Sequence, residues 1–167
     1  QGVSSAASDV YKRQGRTMFH KLLIPTDGSA LSEKSAKAAL AFASATGASV
    51  VGLSVAQLYP FMLMPEAGAM VDLTSYEEIQ DKTAQQAMQK LKSMATDAGV
   101  ACEVLSTRGV HPYEEIIKSA ENQGCDLIWM ASHGRKGLDK LLLGSETQRV
   151  LSHARLPVLV YRDPDAK

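Results

Sequence analysis

Short apolar runs recur along this chain at 19–24, 49–55, 101–107, 126–131 and 157–161, and each is parted from the next by a helix-length segment. Few folds accept that order. The runs are mostly apolar throughout, as expected of strands buried on both faces. Strand and helix in near-regular alternation predict a parallel sheet covered on both sides and linked by right-handed crossovers. The fold class expected is α/β, a doubly wound five-stranded parallel sheet with four helices.

The helices carry their own punctuation. The first is expected to start at a Ser29 cap and stop at Gly47, with Ala36, Ala39, Leu40 and Ala43 on one face. The second spans 75–98 and ends at Gly99. Its stripe of Ala84, Ala87, Met88, Leu91, Met94 and Ala95 reads as core packing, not as a cofactor box. The third starts at Pro112, carries Glu114 and Glu115 in its positively polarised first turn, and stops at Gly124. The fourth is expected over 146–153.

Bulk properties narrow the function classes. The 167 residues are of single-domain size, with 45% hydrophobic and 22% charged residues and a formal net charge of zero. Neither a nucleic-acid footprint nor a membrane footprint is present, and no apolar run reaches the roughly 18 residues that span a bilayer. Cys102 and Cys125 are too few for a disulfide framework and lack Cys-x-x-Cys spacing, which fits a reducing, cytoplasmic setting. Residues 1–17 are polar and without hydrophobic period, so they are read as a disordered or non-native extension. Residues 18–167 form the single domain.

A sheet of this kind binds ligands beyond the carboxyl ends of its strands, where the chain order reverses. Two segments fall there. After the first strand come Pro25, Thr26, Asp27, Gly28 and Ser29; after the fourth come Ala131, Ser132, His133 and Gly134, nine further residues, then Gly144 and Ser145. Ser145 with Gln148 has the spacing of a capping box. The backbone N–H groups at that helix start would then face outward with the dipole behind them, as an anion site requires. The sequence has no Gly-Lys-Ser/Thr of a Walker loop and no Gly-x-Gly-x-x-Gly dinucleotide turn after the first strand. On the residues alone, a nucleotide loop and a plain strand-to-helix connection with glycines at tight turns both remain open.

With these residues in place, 18–167 resembles a universal stress protein. The resemblance rests on Lys21-Leu-Leu-Ile-Pro25-Thr26-Asp27-Gly28-Ser29, the strand order, the Ser132-His133-Gly134 loop with its spacer to Gly144-Ser145, and the closing Leu156-Pro157-Val-Leu-Val-Tyr161-Arg162. It implies an adenine-nucleotide-hydrolase-like sheet ordered 3-2-1-4-5 and a homodimer joined through the last strand, Pro157 to Tyr161. It also implies an ATP site of the Gly-x-x-Gly-x(9)-Gly-Ser/Thr subgroup. By position, Asp27 would meet the ribose or adenine side, and Val55 would offer backbone hydrogen bonds to adenine. Gly134, Gly144 and Ser145 would hold phosphates, with Pro25, Thr26, Ala131, His133, Arg135, Gly137, Glu146 and Thr147 lining the same site. Magnesium or manganese would be held mainly by the phosphates, with no metal ligand set in the protein.

One departure stands out. The subgroup's first glycine is Ala131 here, which is harmless in ordinary strand geometry and a hindrance where positive φ or close backbone approach is needed.

Blander readings accompany the sharp ones. Asp27 before Gly-Ser also suits a turn, and Arg135 and Lys136 either neutralise phosphate or are simply solvated. Ser132 and His133, in an extended segment, are expected to point to opposite faces and so not to form a nucleophile–base pair. His20, His111 and His153 share no metal spacing, and Trp129 and Tyr161 read as packing or interface residues. The 55–74 connection is too long and apolar for a simple turn and suits a lid or partner surface. No residue convincingly activates water for attack on phosphate, so slow ATP hydrolysis at most is expected. The sequence therefore supports a nucleotide-responsive dimeric module acting on a protein partner yet unknown. The alternative is a nucleotide-independent stress protein working through its dimer and partner surfaces.

Overall fold

The computed structural model describes residues 18–58, 73–134 and 143–164, with 73–77 as backbone alone. The N-terminal extension 1–17, the Pro60 to Asp72 connection, and Arg135, Lys136 and Gly137 lie outside the described residues. The chain runs β1 (Lys21–Pro25), α1 (Ala30–Thr46), β2 (Ser49–Gln57), α2 (Leu73–Asp97), β3 (Cys102–Gly109), α3 (Pro112–Asn122), β4 (Leu127–Ala131), α4 (Ser145–His153) and β5 (Val158–Tyr161). All the strand pairings are parallel, and the order is β3-β2-β1-β4-β5.

Side-chain alternation along each strand splits the core into two layers. Leu22, Ile24, Val50, Leu127 and Trp129 face α1 and α2, whose Ala36, Ala39, Leu40, Ala87, Met88 and Leu91 close that side. Leu23, Val51, Leu53, Ile128 and Met130 face α3 and α4 through Ile116, Ala120 and Val150. Small residues on α1 let it lie close to the sheet. Gly52 serves the same end on β2: a methyl group there would fall 2.3 Å from Leu91 Cδ2 of α2.

Helix ends follow the expected chemistry. Ser29 Oγ accepts from Ser32 N–H at 3.2 Å, and Gly47 closes α1 with φ of 71°. Pro112 opens α3 at its first turn. The start of β1 is pinned by Asp126, whose carboxylate accepts from the backbone N–H groups of His20 (2.8 Å) and Lys21 (3.0 Å). Partial burial pushes the Asp126 pKa up, but those N–H donors and the His20 ring outweigh it and hold it below its ordinary value.

The two sheet edges differ. On β3 the side chains of Glu103, Ser106 and Arg108 are exposed, and Arg108 is tied at 2.6 Å to Asp81 of α2. On β5, Val158, Leu159, Val160 and Tyr161 are all half-buried and uncharged. Among the described residues no helix is long and apolar enough to cross a membrane.

Candidate functional site

Because β1 and β4 are neighbours while the chain leaves them in opposite directions, the crevice beyond their carboxyl ends is the switch point of the sheet. Both loops singled out in the sequence arrive there. Pro25 ends β1 opposite Leu53, and Thr26 N–H continues the ladder to Leu53 C=O at 2.8 Å. The chain then turns at Gly28, with φ of 74°.

A relay of hydroxyls fixes this turn. Thr26 Oγ1 donates to Ser32 Oγ (3.0 Å), Ser32 Oγ donates to Ser29 C=O (2.9 Å), and Gly28 N–H donates to Thr26 Oγ1 (3.2 Å). Asp27 Oδ1 accepts from Ser29 N–H at 3.0 Å. The carboxylate is therefore aimed by its own turn, and its other oxygen faces the second loop. A methyl group on Gly134 would come within 2.7 Å of Asp27 Oδ2. Ser32, absent from the sequence-based set, was findable from the hydroxyls at 26, 29 and 32, spaced by three at a helix start.

The second loop is closed at its neck. Ser132 C=O accepts from Gly144 N–H at 2.8 Å, and Thr147 Oγ1 donates to Ala131 C=O at 3.0 Å. Gly144 packs against His133, whose Cα would lie 3.1 Å from a methyl group on that glycine. Thr147 is buried, so its hydroxyl holds strand β4 to helix α4. Ala131 is the last residue of β4, paired with Tyr161, and no non-glycine described residue has positive φ. Its methyl group thus sits in ordinary strand backbone.

Two expectations are corrected here. The cap of α4 is Gly144, in extended geometry, and Ser145 lies inside the first turn with no side-chain cap bond at the helix start. Gln148 does not complete a capping box: its backbone N–H bonds Gly144 C=O, and its Nε2 donates to Leu143 C=O at 3.0 Å. The clasp between Gly144 and Ser132 sets the helix start one residue earlier than the Ser-x-x-Gln spacing suggested. Nor do Ser132 and His133 point apart. Strand alternation ends at Ala131, the chain bends at Ser132, and its Oγ lies 3.2 Å from His133 Nδ1. With Ser132 only 5% exposed, this contact stiffens the loop neck and offers no accessible nucleophile.

Val55 enters through its backbone. Val50 N–H bonds Ala101 C=O on the β3 side, and Leu53 C=O bonds Thr26 N–H on the β1 side, so odd-numbered residues of β2 turn to β1. Two residues beyond Leu53, the N–H and C=O of Val55 face the space where β1 has ended.

Glu146 is turned elsewhere. Its carboxylate accepts from Tyr113 N–H at 2.8 Å and meets Arg149 at 3.2 Å. The residue capping α3, His111, makes no side-chain cap bond, so Glu146 supplies that helix with an acceptor from α4. Arg149 in turn lies 5.6 Å from the centre of the Tyr113 ring.

A model of the universal stress protein family matches residues 18–162. The universal stress protein MJ0531 of Methanocaldococcus jannaschii is 38% identical over 152 residues, 91% of this chain and 87% of that one. The solved structure of MJ0577 superposes with a TM-score of 0.77 at 30% identity, covering 89% of this chain and 99% of that one. A universal stress protein solved in complex with cAMP superposes with a TM-score of 0.65 at 20% identity, over 87% and 99% of the two chains. At that identity the likeness is one of fold.

Proposed function

Since this chain belongs to the universal stress protein family, we propose that it is an ATP-binding, nucleotide-responsive module acting in the cytoplasm as a homodimer. The observation that carries this reading is the meeting of Asp27 and Gly134 at the switch point, beside a loop clasped shut from Ser132 to Gly144. A carboxylate there suits sugar hydroxyls. The first-turn N–H groups after Gly144, with a helix dipole behind them and no side-chain cap, suit phosphate oxygens. The vacated edge of β2 at Val55 offers a donor and an acceptor to a base, and Ala131, in strand backbone, is under no positive-φ strain. The cAMP complex of a distant relative belongs to the same ligand class.

Arg135 and Gly137, outside the described residues, would line the same site, and a magnesium or manganese ion would ride on the phosphates. The protein's own share is to bind and orient. No described acidic group other than Asp27 was brought to the crevice from the sequence-based set, and Asp27 is committed to its turn through one oxygen. Binding with at most slow hydrolysis is the activity proposed. The apolar edge strand β5, unlike charged β3, suits addition of a second copy.

The test is calorimetric titration of MgATP into the full chain, cleared of copurified nucleotide, beside Gly144→Val. Saturable, near-stoichiometric binding that is lost in a folded variant supports the reading. An unchanged affinity in Gly144→Val overturns the site. No binding by the folded wild-type chain leaves the nucleotide-independent alternative.

A further inference from the structure

Ser132 joins three parts of the molecule. Its N–H donates to Tyr161 C=O at 2.8 Å, its C=O accepts from Gly144 N–H at 2.8 Å, and its hydroxyl meets His133 Nδ1. Tyr161 is the last residue of the edge strand β5. Two residues on, the Asp163 carboxylate, 15% exposed, meets Lys34 Nζ at 2.5 Å. Lys34 lies about one turn into α1, beyond the Ser29 cap that also orients Asp27. The carboxyl end of β5 thus reaches the second loop through Ser132 and the first turns of α1 through Lys34.

We infer that this end of β5 couples the crevice to the sheet edge, so that a second copy adding at β5 tightens nucleotide binding. The inference rests on the nucleotide and second-copy reading above and adds its regulation. Among the described residues β5 pairs with β4 alone, and its four residues are all half-buried. A strand added on its outer side holds it from both sides. That fixes Tyr161 C=O, with it the Ser132–Gly144 clasp, and through Asp163 the start of α1. Ordering that the nucleotide must otherwise impose is then already in place, so binding costs less. By linkage, nucleotide must tighten the dimer by the same factor.

Sedimentation of the full chain, with and without MgATP, gives the dimer dissociation constant in each state. Calorimetry at protein concentrations above and below that constant gives the MgATP affinity of dimer and monomer. Both ratios are expected to agree at about fivefold or more, the scale of ordinary coupling. Asp163→Asn, outside the Asp27 turn and the phosphate loop, is expected to keep both binding events and shrink the shared factor. Equal MgATP affinities in monomer and dimer overturn the coupling and leave the nucleotide reading standing. Absence of MgATP binding at every protein concentration overturns that reading and the coupling with it. A chain that stays monomeric throughout removes the second copy and therefore the coupling. A factor unchanged in Asp163→Asn removes the Asp163 arm and confines the route to Ser132.

Discussion

Gly134 lies against the carboxylate of Asp27 so closely that a methyl group on it would reach 2.7 Å from Oδ2. Two loops from different strands therefore share one wall of the crevice, and the smallest side chain is required where they meet. Gly134→Ala is expected to push Asp27 aside and weaken MgATP binding about tenfold, equivalent to ~1.4 kcal/mol. Thermal stability should change little, since the contact lies at the rim. Calorimetry and a melting curve on the same sample check both halves; unchanged affinity would remove Asp27 from the site.

Thr147 offers a cleaner probe of the loop neck. Its buried hydroxyl donates to Ala131 C=O, so Thr147→Val keeps the shape and deletes the donor. A loss of about 1–2 kcal/mol is expected from a buried acceptor left unsatisfied. Thr147→Ser should retain most of it, as urea denaturation of the three proteins will show.

At Gly52 the issue is packing. An added methyl group would come within 2.3 Å of Leu91 Cδ2, the movable end of a side chain. Gly52→Ala is expected to cost about 1–3 kcal/mol through overpacking. Combined with Leu91→Ala the two costs should fall well short of their sum, because the second change opens the space the first one fills. Strict additivity in denaturant unfolding would contradict the contact.

Asp126 predicts a pH dependence. Its folded-state pKa lies below the ordinary 3.8 because backbone N–H groups of Lys21 and His20 favour the charged form. A depressed carboxylate contributes stability above its unfolded pKa and loses it as pH falls through the folded value. Asp126→Asn should therefore cost about 1 kcal/mol at pH 7. The gap to wild type should narrow steadily below pH 3.8, the ordinary value. Denaturation curves at pH 7 and pH 3 test this; an equal gap at both would mean the charge is irrelevant.

Much of the architecture was legible because its signals are local. Ser29 and Gly47 mark the ends of α1 through cap chemistry, which acts over a few residues, and the apolar stripe of α2 fixes its buried face by period alone. Asp27 and the loop after β4 were legible as a pair because strand order places them at one switch point. Contacts between segments far apart in the chain were not legible. The Ser-x-x-Gln spacing at 145–148 suggested a capping box, but a clasp from Gly144 to Ser132 decides where α4 begins. Glu146 follows the same pattern: its acidic place in a first turn says nothing of Tyr113, whose N–H it caps from another helix. Ser132 and His133 escaped the alternation rule because the strand ends one residue before them.

The unlike edges of the sheet set how far assembly can go. Strand addition at β5, as proposed above, would be an edge-to-edge event between identical edges, and it would consume both of them. The remaining edge of each copy is β3, where Glu103 and Arg108 are exposed and Arg108 is bound to Asp81. Such an edge discourages further pairing. Under the proposed pairing, growth by edges would terminate at two copies, and a continuous β-ribbon would have no second sticky end from which to propagate.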